Sequence, residues 1–253
     1  QFDAANNQNS KTVIDSMDDS ISGGIVLGET TAGSITIKTV GGNVSLGDNT
    51  VLNGTTVSAE SVDLNKTVYS NDDGNWNTVV GTEKLDTIEG SVTLGNNTTV
   101  KGNSTLTADD NIAIGTNSVI TAADGIITAG GQISIGDGTQ VVGNTATNAG
   151  KAAINLADGQ TLYIGSGAVL SGNTSNGVLG SVHAGQNTQI NVYTDGTAYT
   201  FINDGIDTAA PAAPTADAAP LAADQTVMTK TGTGTLVYGG GGATDTFGGT
   251  YQQ

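Results

Sequence analysis

Cysteine is absent from the 253 residues, arginine is absent as well, and proline occurs only 3 times. Without thiols no disulfide can staple the chain. Stability then has to come from cooperative stacking, and such a chain can cross a cell envelope unfolded. Basic charge is scarce: 7 lysines stand against 24 acidic residues, a net charge of −17. That balance excludes nucleic acid as a partner, because phosphate neutralisation needs clustered cations. It also disfavours anionic membrane surfaces and keeps a long particle soluble and mutually repelling at low salt. Aromatic residues reach 4%, so no core is built on large rings. Hydrophobic residues reach 36%, below the roughly 45–50% of ordinary globular domains. No apolar run approaches the roughly 20 residues of a transmembrane helix, and no membrane contact by this segment is expected. The start, Gln1-Phe2-Asp3-Ala4, fits a mature terminus after signal removal, and a cloned fragment would read the same.

Glycine is abundant, at 38 residues, without the strict period of collagen. One pattern recurs: two apolar residues at alternate positions, then Gly or Asn, then polar turn residues. It reads Ile25-Val26-Leu27-Gly28, Val44-Ser45-Leu46-Gly47, Val62-Asp63-Leu64-Asn65 and Val92-Thr93-Leu94-Gly95. It continues as Ile112-Ala113-Ile114-Gly115, Ile133-Ser134-Ile135-Gly136 and Leu162-Tyr163-Ile164-Gly165. The turn positions are spaced by 19, 18, 30, 20, 21 and 29 residues, a period near 20 with two insertions of about ten. Such a period suits one coil of a solenoid.

Local chemistry selects the kind of solenoid. Val, Ile, Leu and Thr in period-2 alternation are strand signals, and Gly, Asn and Asp supply the corners. Strands this short are incompatible with helical repeats. The expected fold is therefore all-β, a right-handed parallel β-helix with coils of about 20 residues. Roughly ten coils over residues 21–204, stacked at about 4.8 Å, would make a rod on the order of 50 Å long. Inward aliphatics should form ladders, and a charge placed in one, as in Ile114→Asp, should loosen neighbouring coils.

Composition divides the rest. Residues 1–20 are polar and read as a cap or loose segment over the bare strand edges of the first coil. An insertion in the rod near 70–88 carries Asp72, Asp73 and Trp76, the sole Trp, and these three are the candidate ligand contacts. The competing reading of Trp76 is a ring covering a gap where the coil opens. Residues 205–226 hold all 3 prolines among nine alanines, a linker or excursion. Residues 227–253 form a last segment.

That segment reads Thr229-Lys230-Thr231-Gly232-Thr233-Gly234-Thr235-Leu236-Val237-Tyr238, followed by Phe247-Gly248-Gly249-Thr250-Tyr251. It resembles the passenger-associated repeat of bacterial autotransporters over about 25 residues. The resemblance implies one β-helix coil lying toward a C-terminal membrane barrel, in a secreted passenger at the bacterial surface. Gly143-Asn144-Thr145-Ala146 and Ser171-Gly172-Asn173-Thr174 are similar to coils of adhesin passengers, although Lys151-Ala152-Ala153-Ile154 departs from the family's Gly-Ala-Ile continuation.

Catalytic constellations are sparse. His183 is the sole histidine, no G-x-S-x-G elbow occurs, and the Gly-Asp-Ser-Gly signature of protease passengers is missing. Asp18-Asp19, Asp72-Asp73 and Asp109-Asp110 are acidic pairs, but strand neighbours point to opposite faces. Gly240 to Phe247 approaches a calcium nonapeptide in a single imperfect copy. No enzyme and no cofactor are expected, with calcium at Asp-rich turns as the alternative. The expected role is an extracellular surface adhesin or self-associating protein. Its partners would be host or bacterial surface ligands or further copies of the chain, as a homo-oligomer. The alternatives are a fibre or sheath subunit, and a polysaccharide-degrading enzyme or tail-spike.

Overall fold

The computed structural model describes residues 2–3, 12–15, 24–70, 78–122, 126–146, 152–175, 177–208, 226–239 and 250–252. Among them every element is a β-strand, and most strands fall into three long sheets of nine, nine and eight strands. Within these sheets neighbouring strands pair in parallel, coil upon coil. The chain is a parallel β-helix.

One coil shows the plan. Ile25–Leu27 begins the first sheet, Thr30–Gly33 lies in the second, and Ile35–Val40 in the third. The next coil repeats this with Val44–Leu46, Val51–Asn53 and Thr56–Glu60 in the same three sheets. Alternation puts every second side chain inside, and parallel registry places like on like. In the first sheet Val44, Val92, Ile112, Ile133, Leu162, Ile190 and Met228 form one continuous buried column. In the second sheet Leu52, Val100, Ile120, Val141, Leu170 and Ile202 do the same, as do Val57, Leu106, Ile127, Ile154, Val182 and Ile206 in the third. Each such side chain contributes about 1.5–3 kcal/mol by burial, and only because a neighbouring coil covers it.

Corners repeat along the middle of the rod. After the first-sheet strands ending at Leu46, Leu94, Ile114 and Ile135 comes Gly, a side chain with an oxygen, a residue at positive φ, and a buried Thr or Ser. Asn49, Asn97 and Asn117 have φ of 59°, 55° and 53°, and Gly138 takes the same place at 65°. Asn tolerates this left-handed conformation better than other side chains do. The Asn96 N–H donates to Asp48 Oδ1 at 2.6 Å, and Thr116 N–H to Asn96 Oδ1 at 2.8 Å. Thr50, Thr98 and Ser118 donate their hydroxyls back to the carbonyls of Gly47, Gly95 and Gly115 at 2.7, 2.8 and 2.9 Å. The leading glycine is required by closeness: a Cβ on Gly115 would sit 2.5 Å from the carbonyl carbon of Gly95.

The rod has seven first-sheet strands between residues 25 and 204, with Val227–Thr231 and Thr250–Gln252 adding two more. The seven span about 30 Å at the usual spacing, fewer coils and a shorter rod than the roughly ten coils and about 50 Å expected over residues 21–204; all nine span about 40 Å. The difference has two sources. Val62–Ser70 is not a coil strand: it pairs antiparallel with Thr78–Ile88 as a hairpin between the third sheet and the first. The coil after Gly136 is lengthened by an excursion beginning at Thr145–Ala146. That short strand pairs in parallel with Thr174–Ser175, which turns back on Val178–Leu179. At the N-terminal end, Phe2–Asp3 and Thr12–Asp15 pair in parallel with Thr30–Thr31 and Ile35–Lys38. At the other end, Ile206–Thr208 continues the third sheet and Thr235–Tyr238 the second.

Candidate binding surface

With the inward positions filled by aliphatics, ligand chemistry has only the outward rows and the corners. On the third sheet one outward row runs Lys38, Ser58, Thr107, Thr128, Asn155 and His183, in register from coil to coil. Lys38 pairs with Glu60 at 2.7 Å, and both side chains are substantially exposed, so the pair contributes little to stability. Asn155 is covered: its Oδ1 accepts the Ala152 N–H at 2.7 Å and its Nδ2 donates to the Ala152 carbonyl at 2.8 Å. His183, half-buried on the next strand, borders an open groove of about 470 Å³ flanked by Asp109 and Asp158. The groove is open between the two acids because Gly130 and Gly185 bring no side chains to its lining.

The carboxylates of the groove hold corners together. Asp109 Oδ2 accepts the Ser61 N–H at 2.8 Å, and Asp158 Oδ1 accepts the Gln186 N–H at 2.8 Å. The neighbouring Asp110 accepts the Ser91 hydroxyl and the Asn111 amide, both at 2.7 Å. Asp109 and Asp110 thus serve different partners and make no joint acid–base pair. No group of three metal-ligating side chains converges among the described residues.

Asp72, Asp73 and Trp76 lie outside the described residues, as do Asp18-Asp19 and the stretch from Gly240 to Phe247. The described residues have two features that residue types alone do not announce. The first is buried: Asn144, Asn173 and Asp204 stack at the corner between the second and third sheets, each 4% exposed or less. The second is exposed: Tyr163, Tyr193 and Tyr199 are among the four large apolar side chains on the described surface, and all three sit in two adjacent coils. The Tyr193 hydroxyl is hydrogen-bonded to Asp195, which raises its pKa above the ordinary 10.0, with further repulsion from the Asp195 and Asp137 charges. Its corner is fixed by Asp195 N–H to Ser166 Oγ at 2.9 Å and by Thr233 Oγ1 to Asp195 Oδ1 at 3.2 Å.

No family model, no curated protein and no solved structure matches this chain.

Proposed function

We propose that the chain is an extracellular bacterial surface passenger, an adhesin or self-associating protein whose long faces make the contacts. The observation that carries this reading is the outer surface of the rod. The first sheet presents Ser45, Thr93, Ala113 and Ser134 in one row, and the third presents Ser58, Thr107 and Thr128. Over these coils the rows carry small side chains, all but Ala113 with a hydroxyl, at a repeat of about 4.8 Å, before the first row reaches Tyr163. A face of this kind can register on another copy through many weak bonds, none of which needs a pocket.

The resemblance to passenger-associated repeats supports the same reading. Its Lys230 to Leu236 stretch crosses from Val227–Thr231 into Thr235–Tyr238, so Gly232 and Gly234 stand at a corner. The net charge of −17 supplies the control variable. Rods of like charge repel at low salt, and calcium or mild acid reduces the repulsion. The test is light scattering of the purified chain, and sedimentation of cells displaying it, across salt, pH and calcium. Association should rise as repulsion is screened. Indifference to all three would overturn the proposal.

A further inference from the structure

We infer that the corner bounded by Tyr193 and Tyr199 is a binding site for a neutral saccharide. This rests on the adhesive reading above, for which it supplies a ligand class.

Aromatic residues make up only 4% of the chain, yet Tyr193 and Tyr199 are 46% and 57% exposed on either side of one corner. Neither ring is loosely placed. A Cβ on Gly232 of the next coil would lie 3.1 Å from the Tyr193 ring, so that ring rests on the bare glycine. Tyr199 stacks on Phe201, with ring centroids 6.2 Å apart and planes 20° from parallel. Rings fixed by their surroundings while still facing solvent are preorganised, and a ligand that covers them loses little further freedom.

Between the rings, Asp195, Gly196 and Thr197 are exposed. Asp195 Oδ1 receives the Gly196 N–H at 2.8 Å and the Thr233 hydroxyl at 3.2 Å. A carboxylate has about four acceptor positions, which leaves room on Oδ2 for an outside donor. An apolar face beside an array of hydroxyls is the chemistry of a pyranose: its C–H face lies on a ring and its hydroxyls reach the carboxylate. A protein partner would need roughly 800 Å² of contiguous surface with a dry centre, and here the rings are separated by polar residues. Asp195 at the corner, with Asp137 two coils along the same edge of the rod, disfavours sulfated and sialylated sugars.

The experiment is an array of neutral, sialylated and sulfated oligosaccharides probed with the full chain. Neutral sugars should be retained. Tyr193→Ala and Tyr199→Ala should each weaken retention by about tenfold, as truncated binding hot spots do. Tyr199→Phe should preserve binding, and His183→Ala, in the separate groove, should leave it unchanged. Mass spectrometry after tetranitromethane treatment gives a readout without substitution: a retained sugar should protect Tyr193 and Tyr199 from nitration. Retention of no sugar, retention of acidic sugars only, or binding indifferent to both Ala substitutions overturns the inference. Cells that still clump while the array stays blank would sink this site and leave the self-associating passenger standing.

Discussion

The Ser181 hydroxyl donates a 2.8 Å hydrogen bond to Oδ2 of Asp204, and both residues are buried. The same carboxylate accepts the N–H groups of Gly172 at 2.9 Å and Asn173 at 2.8 Å, and the Asn173 amide at 3.3 Å. One coil below, Asn173 Oδ1 accepts both the N–H and the side-chain amide of Asn144, at 3.0 and 2.7 Å. The ladder closes on carbonyls of the second sheet, Asn144 Nδ2 to Ile120 and Asn173 Nδ2 to Val141. Inside the rod a corner can turn only if its freed backbone groups find partners, and these three side chains provide them.

Asp204→Ala should therefore destabilise the chain by about 3–5 kcal/mol, because several buried donors lose their acceptor together. Asp204→Asn should cost less. Its oxygen can take the two donors of Asn173, as Asn173 does for Asn144, while the Gly172 N–H is left facing an amide. Denaturant melts monitored by circular dichroism measure both. Equal losses would show that the shape of the side chain matters there, not its acceptor capacity.

Ile114 stands in a second first-sheet column, between Leu94 and Ile135, and is 3% exposed. Ile114→Asp buries an unpaired charge and should cost about 4 kcal/mol or more, against about 0.5–1.5 for Ile114→Val. In a solenoid each coil rests on its neighbours, so the damage should be graded. Amide exchange should accelerate most in the coils of Leu94 and Ile135 and least toward Ile190. A uniform acceleration along the rod would mean that the whole chain opens as one unit.

The rod was legible because its two periods, two within a strand and about twenty between coils, are both written in aliphatic residues. Val44-Ser45-Leu46 and Ile133-Ser134-Ile135 carry the inward columns without help from distant sequence. The same alternation misleads at Val62-Asp63-Leu64, since a hairpin strand and a coil strand alternate alike. Only the partner, Thr78–Ile88, makes it antiparallel. Nothing in the residue types of Asn144, Asn173 and Asp204 announces burial, because polarity usually means solvent. Their signal was positional: separations of 29 and 31 residues, each just past an inward aliphatic of the second sheet. The tyrosine corner left no trace of its own, because whether a ring faces water depends on the coil above it.

Thr194 is fully buried, and its Oγ1 has no hydrogen-bond partner. A buried hydroxyl without a partner costs folding energy that an apolar group of equal shape does not. Thr194→Val should accordingly stabilise the chain by about 1 kcal/mol, a rise of about 2–4 °C in melting temperature for a chain this long. A thermal melt that falls instead would reveal an ordered water on the hydroxyl.

Tyr193 gives the chain a signature at alkaline pH. The hydrogen bond to Asp195, then the charges of Asp195 and Asp137, favour the neutral phenol and raise its pKa above 10.0. The folded state thus holds this proton more tightly than the unfolded state does. Its contribution to stability is complete below pH 10.0 and is lost as pH climbs through the higher folded value. In an ultraviolet phenolate titration, Tyr193→Phe identifies the step that belongs to this residue. Asp195→Asn should move that step to lower pH, since the amide removes both the charge and half of the acceptor capacity. A step that stays in place after Asp195→Asn would show that Asp137 or the packing on Gly232 holds the phenol, and the corner would then lack the oriented carboxylate on which sugar recognition depends.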